Sequence, residues 1–167
     1  MVFRQTLHEE HDGYLLSDDP SLVDVDKVHG WISDQSYWAN GRSREVMVRA
    51  LEGSHPIGVY RDTEQVAICR LVTDGATFAW LCDLFVDPSV RGLGIGSWLA
   101  NSCVAWAKAM EIKRVLLVTR DAHEVYVRVG FAPLEDGSRW MEIDPRAKPA
   151  SRFSESGAPE GQERTTS

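Results

Sequence analysis

The sequence predicts a mixed α/β domain, a sheet with helices packed on it. Two patterns carry that expectation: a meander of strand-length apolar runs between residues 57 and 86, and a long amphipathic helix soon after it. A third feature lies at their junction. The run TFAWLCDLFV (Thr77–Val86) leads through an Asp-Pro turn into RGLGIGS (Arg91–Ser97), where glycine stands at every second position as the helical pattern begins.

Taken in order, VFRQTL (Val2–Leu7) reads as a first strand. Leu22, Val25, Val28, His29 and Ile32 then share one helical face. Val46, Val48, Ala50 and Leu51 support a second, shorter helix after the loop SYWANG (Ser36–Gly41). Strands follow at IGVY (Ile57–Tyr60) and QVAICRLV (Gln65–Val72), joined by a turn near Arg61–Glu64, and a third comes at Thr77–Val86 after Asp74-Gly75. In the main helix, Ile95, Trp98, Leu99, Ser102, Cys103, Trp106, Ala107 and Met110 recur at the spacing of one buried stripe. VLLVT (Val115–Thr119) has the unbroken apolar character of a strand buried on both faces. A short helix near Ala122–Val129 ends at Gly130, and FAPL (Phe131–Leu134) and WMEI (Trp140–Ile143) read as closing strands.

Composition bounds the function. At 167 residues, 43% hydrophobic and 26% charged, the chain suits one domain with a full core, residues 1–144. From Pro145 to Ser167 the composition turns to Pro, Ser, Gly, Glu and Thr, which predicts a disordered tail. No apolar run approaches a membrane span, and the charges within the first twenty residues count against a secretory signal. Three cysteines in apolar runs read as buried free thiols, so the cytoplasm is the expected compartment, and no metal site is indicated. The formal net charge of −7 repels nucleic-acid phosphates and favours a cationic partner, or serves only solubility.

A strand feeding a glycine-rich turn and a helix is a geometry that holds phosphates. The first turn of a helix has unpaired N–H groups and the positive end of the macrodipole, and glycines keep side chains out of the way. The same pattern also serves as a tight packing corner with no ligand. Two nucleotide sites are excluded. No Lys-Ser or Lys-Thr follows the last glycine, so the triphosphate loop fails. The spacing is G-x-G-x-G and follows a meander, so the dinucleotide fingerprint fails too.

LFVDPSVRGLGIGSWL (Leu84–Leu99) resembles motif A of the GNAT superfamily of acetyl-CoA-dependent N-acetyltransferases, with Arg91, Gly94 and Gly96 at the motif positions. AHEVYVRVGF (Ala122–Phe131) resembles the second signature of that family, a short helix with a tyrosine ending in Gly-Phe. The likeness covers most of residues 1–144 and is most specific over 80–131. It implies a single domain with a mostly antiparallel, twisted sheet of about six or seven strands and helices on both faces. It also implies that the strands holding Val86 and Leu117 splay apart to form a slot.

The resemblance further implies an N-acetyltransferase acting on a primary amine of a small molecule by direct attack in a ternary complex. Its cofactor is acetyl-CoA. Arg91, Gly92, Leu93, Gly94, Ile95, Gly96 and Ser97 become the pyrophosphate cradle. Leu84, Phe85 and Val86 become the strand that pairs with the pantetheine arm and polarises the thioester. Tyr126 matches the tyrosine that protonates the leaving thiolate, or else packs against the cofactor.

Strict alternation sets Asp83 on a face with Leu81 and Phe85, opposite Trp80, Cys82 and Leu84. An acid in an apolar run needs a partner, so Asp83 is a candidate base, substrate anchor or structural hydrogen-bond acceptor. His123 is an alternative base or substrate contact. Tyr37, Trp38 and Arg42 fall where family members build the acceptor wall, to receive an aromatic or cationic amine, or a carboxylate on Arg42. The asparagine many members place near the cofactor, seven residues before the tyrosine, is Thr119 here; either Asp121 substitutes after a shortened loop, or that contact is missing. Alternatives are a peptide or protein N-acetyltransferase and a non-catalytic acyl-CoA-binding sensor. The family often forms homodimers, with the final strands as contributors; nucleic acid and membrane are not expected partners.

Overall fold

The computed structural model describes residues 6–143, and the chain divides into two units between Ala132 and Pro133. In the first unit the elements run β1 (His8–His11), β2 (Tyr14–Ser17), α1 (Val25–Gln35), α2 (Arg44–Glu52), β3 (His55–Arg61), β4 (Glu64–Thr73), β5 (Ala79–Val86), α3 (Ile95–Ala109), β6 (Val115–Leu116) and α4 (His123–Arg128). The strands form one sheet in the order β1-β2-β3-β4-β5-β6. Every pair is antiparallel except β5–β6, which α3 connects as a parallel crossover.

Apolar periodicity places the helices on both faces. On one face α3 buries Ile95, Leu99, Cys103, Trp106 and Ala107 against Ile57, Val59, Cys69, Leu71 and Leu81. On the other, Val28, Trp31 and Ile32 of α1 and Met47 and Leu51 of α2 enclose Ile68 and Phe85, with Trp31 stacked on Phe85. Asp24 and Ser43 cap α1 and α2 through side-chain oxygens that accept from Lys27 and Val46 N–H.

The N-terminal strand expected at Val2–Leu7 falls largely outside the described residues, and Thr6 and Leu7 carry no strand. A hairpin takes over from His8, turning on Asp12 (φ 49°) and Gly13 (φ 79°). This is the left-handed two-residue turn that Asp-Gly favours. Trp98 and Ser102 of α3 both donate to a Glu9 carboxylate oxygen, at 2.8 and 2.9 Å, which ties this hairpin to the main helix.

Three further expectations change. The strand foreseen over Val115–Thr119 is only two residues long and half-buried, and Val118 is 80% exposed. Among the described residues it lies at the sheet edge, with β5 as its one strand neighbour. Phe131–Leu134 and Trp140–Ile143 form no strands. Pro133 removes a ladder donor from the first segment, and the second has no strand partner within the described residues of its own unit. That unit holds a 3-10 turn at Gly137–Arg139, capped by Asp136. The tail from Pro145 lies outside the described residues, and no described helix is long and apolar enough to cross a membrane.

The cysteines are unpaired, with Cys69 and Cys103 buried and their sulfurs 3.3 Å apart. Burial, then the hydrogen bond with Cys103, raises the Cys69 pKa well above its ordinary value, and burial lifts Cys82 to about 11. Since the thiolate is the reactive form, the native protein should react slowly with an aromatic disulfide reagent at neutral pH and release its thiols on denaturation. Rapid native titration of Cys69 or Cys82 would contradict this packing.

Candidate active site

The site begins where β5 ends. Asp87 accepts from Ser89 N–H at 2.9 Å and starts a 3-10 turn over Pro88–Val90. Arg91 then folds back, donating from Nε to the Val86 carbonyl at 3.0 Å, with its guanidinium 5.3 Å from the Phe85 ring centroid. Gly92 and Gly94 adopt φ of 82° and 83°, a region glycine enters at no steric cost. Gly94 is the N-cap of α3, and no side chain caps this helix. The first-turn amides of Ile95, Gly96 and Ser97 are thus free of side-chain acceptors, at the positive end of a fifteen-residue helix. A Cβ on Gly92 or Gly94 would meet open space, whereas one on Gly96 would lie 3.4 Å from Val86 Cγ2. Two glycines shape an open concave corner, and the third lets α3 pack against β5.

Beside this corner the sheet opens. β5 pairs with β6 only at Ala79↔Val115 and Trp80↔Leu116, so Leu81–Val86 has no strand partner on that side among the described residues. A bulge lies in the same stretch. Ile68 pairs with Phe85 and Arg70 with Cys82, so Asp83 and Leu84 oppose Cys69 alone, and Asp83 takes φ 50°. The bulge turns the strand over and corrects the alternation read from sequence. Leu81 faces α3, but Phe85 faces α1 and α2, while Leu84 and Val86 pack on the α3 side.

Asp83 sits at the centre of a buried cluster. Its Oδ2 accepts from Arg70 Nε and Nη2 at 2.9 and 2.7 Å and from Arg42 Nη1 at 2.5 Å. Its Oδ1 accepts from Trp38 Nε1 at 3.1 Å. Burial pushes the carboxyl pKa up, but Arg42 and Arg70 outweigh burial and hold it below the usual range. An anion so fully engaged is a poor proton acceptor. Arg70 also donates from Nη1 to the Ala50 carbonyl and Ser54 Oγ, so the cluster reaches α2. Sequence reasoning missed Arg70. The signal was present in AICRLV, where a charge inside an apolar strand calls for a buried partner.

Tyr37 faces the loop between β6 and α4. Its hydroxyl accepts from Arg120 N–H at 3.2 Å and donates to Asp121 at 3.4 Å, while the Arg120 guanidinium lies 3.6 Å from the ring centroid. Tyr37 also meets Trp38 edge-on, so the wall and the Asp83 cluster are continuous. Thr119 accepts from Ala122 N–H and serves the start of α4, while Asp121 meets the Tyr37 hydroxyl. Tyr126, on α4, packs edge-on against Phe131 and borders the α3-side core. Burial, with Cys69 and Cys103 adding to it, pushes its pKa up to about 12, so it is protonated at neutral pH. His123 is exposed at the first position of α4 and has no hydrogen bond to the Asp83 cluster.

A mostly antiparallel sheet that opens beside an uncapped, glycine-cornered helix has a counterpart among known proteins. Residues 25–131 match the acetyltransferase (GNAT) family, and the chain belongs to that family. A Gibberella zeae protein that carries an acetyltransferase name is 30% identical over 136 residues, spanning 68% of this chain and 75% of its own. The crystal structure of a Xanthomonas campestris protein, described as a GNAT-family acetyltransferase, superposes with TM-score 0.75 at 35% identity, over 81% of this chain and 94% of that one. N-acetylglutamate synthase from Neisseria gonorrhoeae, solved with coenzyme A and N-acetylglutamate, shares the fold at TM-score 0.59 and 17% identity, over 71% of this chain and 28% of its own.

Proposed function

We propose that the protein is an N-acetyltransferase that uses acetyl-CoA to acetylate a primary amine of a small molecule by direct attack in a ternary complex. The observation that carries this reading is the open corner at Arg91–Ser97 beside the unpaired edge of β5. Its free amides and positive helix end fit a pyrophosphate, and the β5 edge fits an extended amide-bearing arm. The family assignment supports the same cofactor, as does the coenzyme A found with the Neisseria relative. When bound, acetyl-CoA supplies an acyl group activated as a thioester.

The residues that would hold it are Arg91–Ser97 and Leu84–Val86. Main-chain N–H groups of Leu84–Val86 polarise the carbonyl, and the cleft holds the amine against it, removing the entropy of encounter. The amine lone pair would form the C–N bond as the C–S bond breaks; the departing sulfur would take a proton from the Tyr126 hydroxyl, and the proton shed by the newly acylated nitrogen would return to that phenolate through water. Asp83 takes no proton in this scheme; the ammonium loses its proton to water before attack. The tie from Tyr37 to Arg120 and Asp121 favours a small acceptor over a peptide, because it closes one side of the wall.

Coenzyme A should raise the melting temperature by mass action, and a flat thermal-shift titration would remove the cofactor assignment. Tyr126→Phe is expected to lower kcat about 100-fold or more while coenzyme A affinity stays nearly unchanged. Unchanged kcat would assign Tyr126 to packing alone.

A further inference from the structure

The cluster around Asp83 is unbalanced. Two guanidinium groups share one carboxylate, with side-chain exposures of 9% for Arg70, 21% for Arg42 and 3% for Asp83. Asp83 already receives four N–H donors, and Arg70 is engaged on both sides of its guanidinium. Arg42 differs. It gives Nη1 to Asp83, with Met47 Sδ a further 3.7 Å contact. Its Nε–H and Nη2–H have no acceptor among the described residues. That free edge is the face of a guanidinium that matches a carboxylate with two parallel hydrogen bonds.

Position adds to charge. Asp83 is the bulge residue in the part of β5 that has lost its β6 partner, one residue before Leu84–Val86. Trp38 and Tyr37 carry the same surface across to Arg120. A half-buried excess positive charge is costly unless an anion meets it, and it repels an ammonium that brings no anion of its own. The formal charge of the cluster, two arginines against one aspartate, is therefore opposite in sign to the net charge of the chain, −7.

We propose that the acceptor is an amine that also carries a carboxylate, an amino acid or a derivative of one, and that Arg42 binds this carboxylate through Nε and Nη2. Arg42 thereby sets specificity against polyamines and simple arylamines. The inference rests on the acetyltransferase reading above and names its substrate class.

The test uses the full chain and measures thiol release with acetyl-CoA over free amino acids, their carboxamides, the matching decarboxylated amines, diamines and a phosphorylated amine. The expected result is kcat/KM at least about tenfold higher for the best acid than for its carboxamide, a step of about 1.4 kcal/mol. Arg42→Lys keeps the charge but loses the paired donors, and should bring that ratio towards one through a rise in KM for the acid. Equal turnover of acids and amides, preference for diamines or the phosphorylated amine, or no turnover of any carboxylated amine overturns the proposal. An equal fall for acid and amide in Arg42→Lys gives Arg42 a structural role and overturns its assignment. Coenzyme A-induced thermal shifts, recorded alongside, separate the two failures. A missing shift removes the acetyltransferase reading, and with it the substrate class; a retained shift without acid preference removes only the substrate class.

Discussion

Asp83→Ala is expected to destabilise the fold by about 3–5 kcal/mol, a loss of roughly 10–15 °C in Tm. The substitution strands two guanidinium groups. Arg42 can turn towards solvent, but Arg70 lies under α2 and cannot. Urea unfolding checks the magnitude, and Asp83→Asn separates charge from backbone, because asparagine also tolerates the left-handed φ of 50° found there. The pH dependence has a definite sign. The folded-state pKa of Asp83 is depressed relative to an unfolded aspartate near about 3.9. Its contribution is therefore fully present above that range and is lost as pH falls through the depressed value. The stability gap between wild type and Asp83→Asn should narrow in acid. A gap that is constant with pH, or absent at pH 7, would show that the arginines are satisfied without this carboxylate.

Gly94→Val is expected to weaken coenzyme A binding at least about 100-fold, or about 2.7 kcal/mol. Two causes act together. Valine is strained at φ 83°, so the first turn of α3 must rearrange and its free amides lose alignment. If the turn holds instead, the new side chain enters the open corner where a Cβ meets no protein atom within 4 Å. Gly13→Val is the matched control, with φ 79° and equally open surroundings in the β1–β2 turn. Both variants should lose stability, and only Gly94→Val should lose the ligand, as read by calorimetric titration. Full binding by Gly94→Val would refute the cradle.

Much of this architecture was legible in order along the chain. The meander, α1 and α3 follow from local periodicity, since a repeat of two or of 3.6 residues already says which side of an element is apolar; in α2 the buried residues are Met47 and Leu51, while Val46 is exposed. The glycine-rich corner was legible for the same reason: Arg91–Ser97 is contiguous, and Gly92 and Gly94 take the positive φ that glycine favours. The hairpin at Asp12-Gly13 rests on an equally local signal, a dipeptide that favours left-handed φ, whereas the apolar run Val2–Leu7 suggests a strand before it. The closing segments misled, because Phe131–Leu134 and Trp140–Ile143 are apolar enough for strands but strand pairing is not a local property.

Family, helix and strand periods and the glycine-rich corner at Arg91–Ser97 can all be read along the chain, because each depends on near neighbours. The chemistry around Asp83 exists only in the folded chain. One bulge residue there reverses the two faces of β5, and Arg42 and Arg70, brought from a loop and from β4, meet the same carboxylate. Charge compensation in a low-dielectric interior depends on distance in space, which residue spacing does not encode.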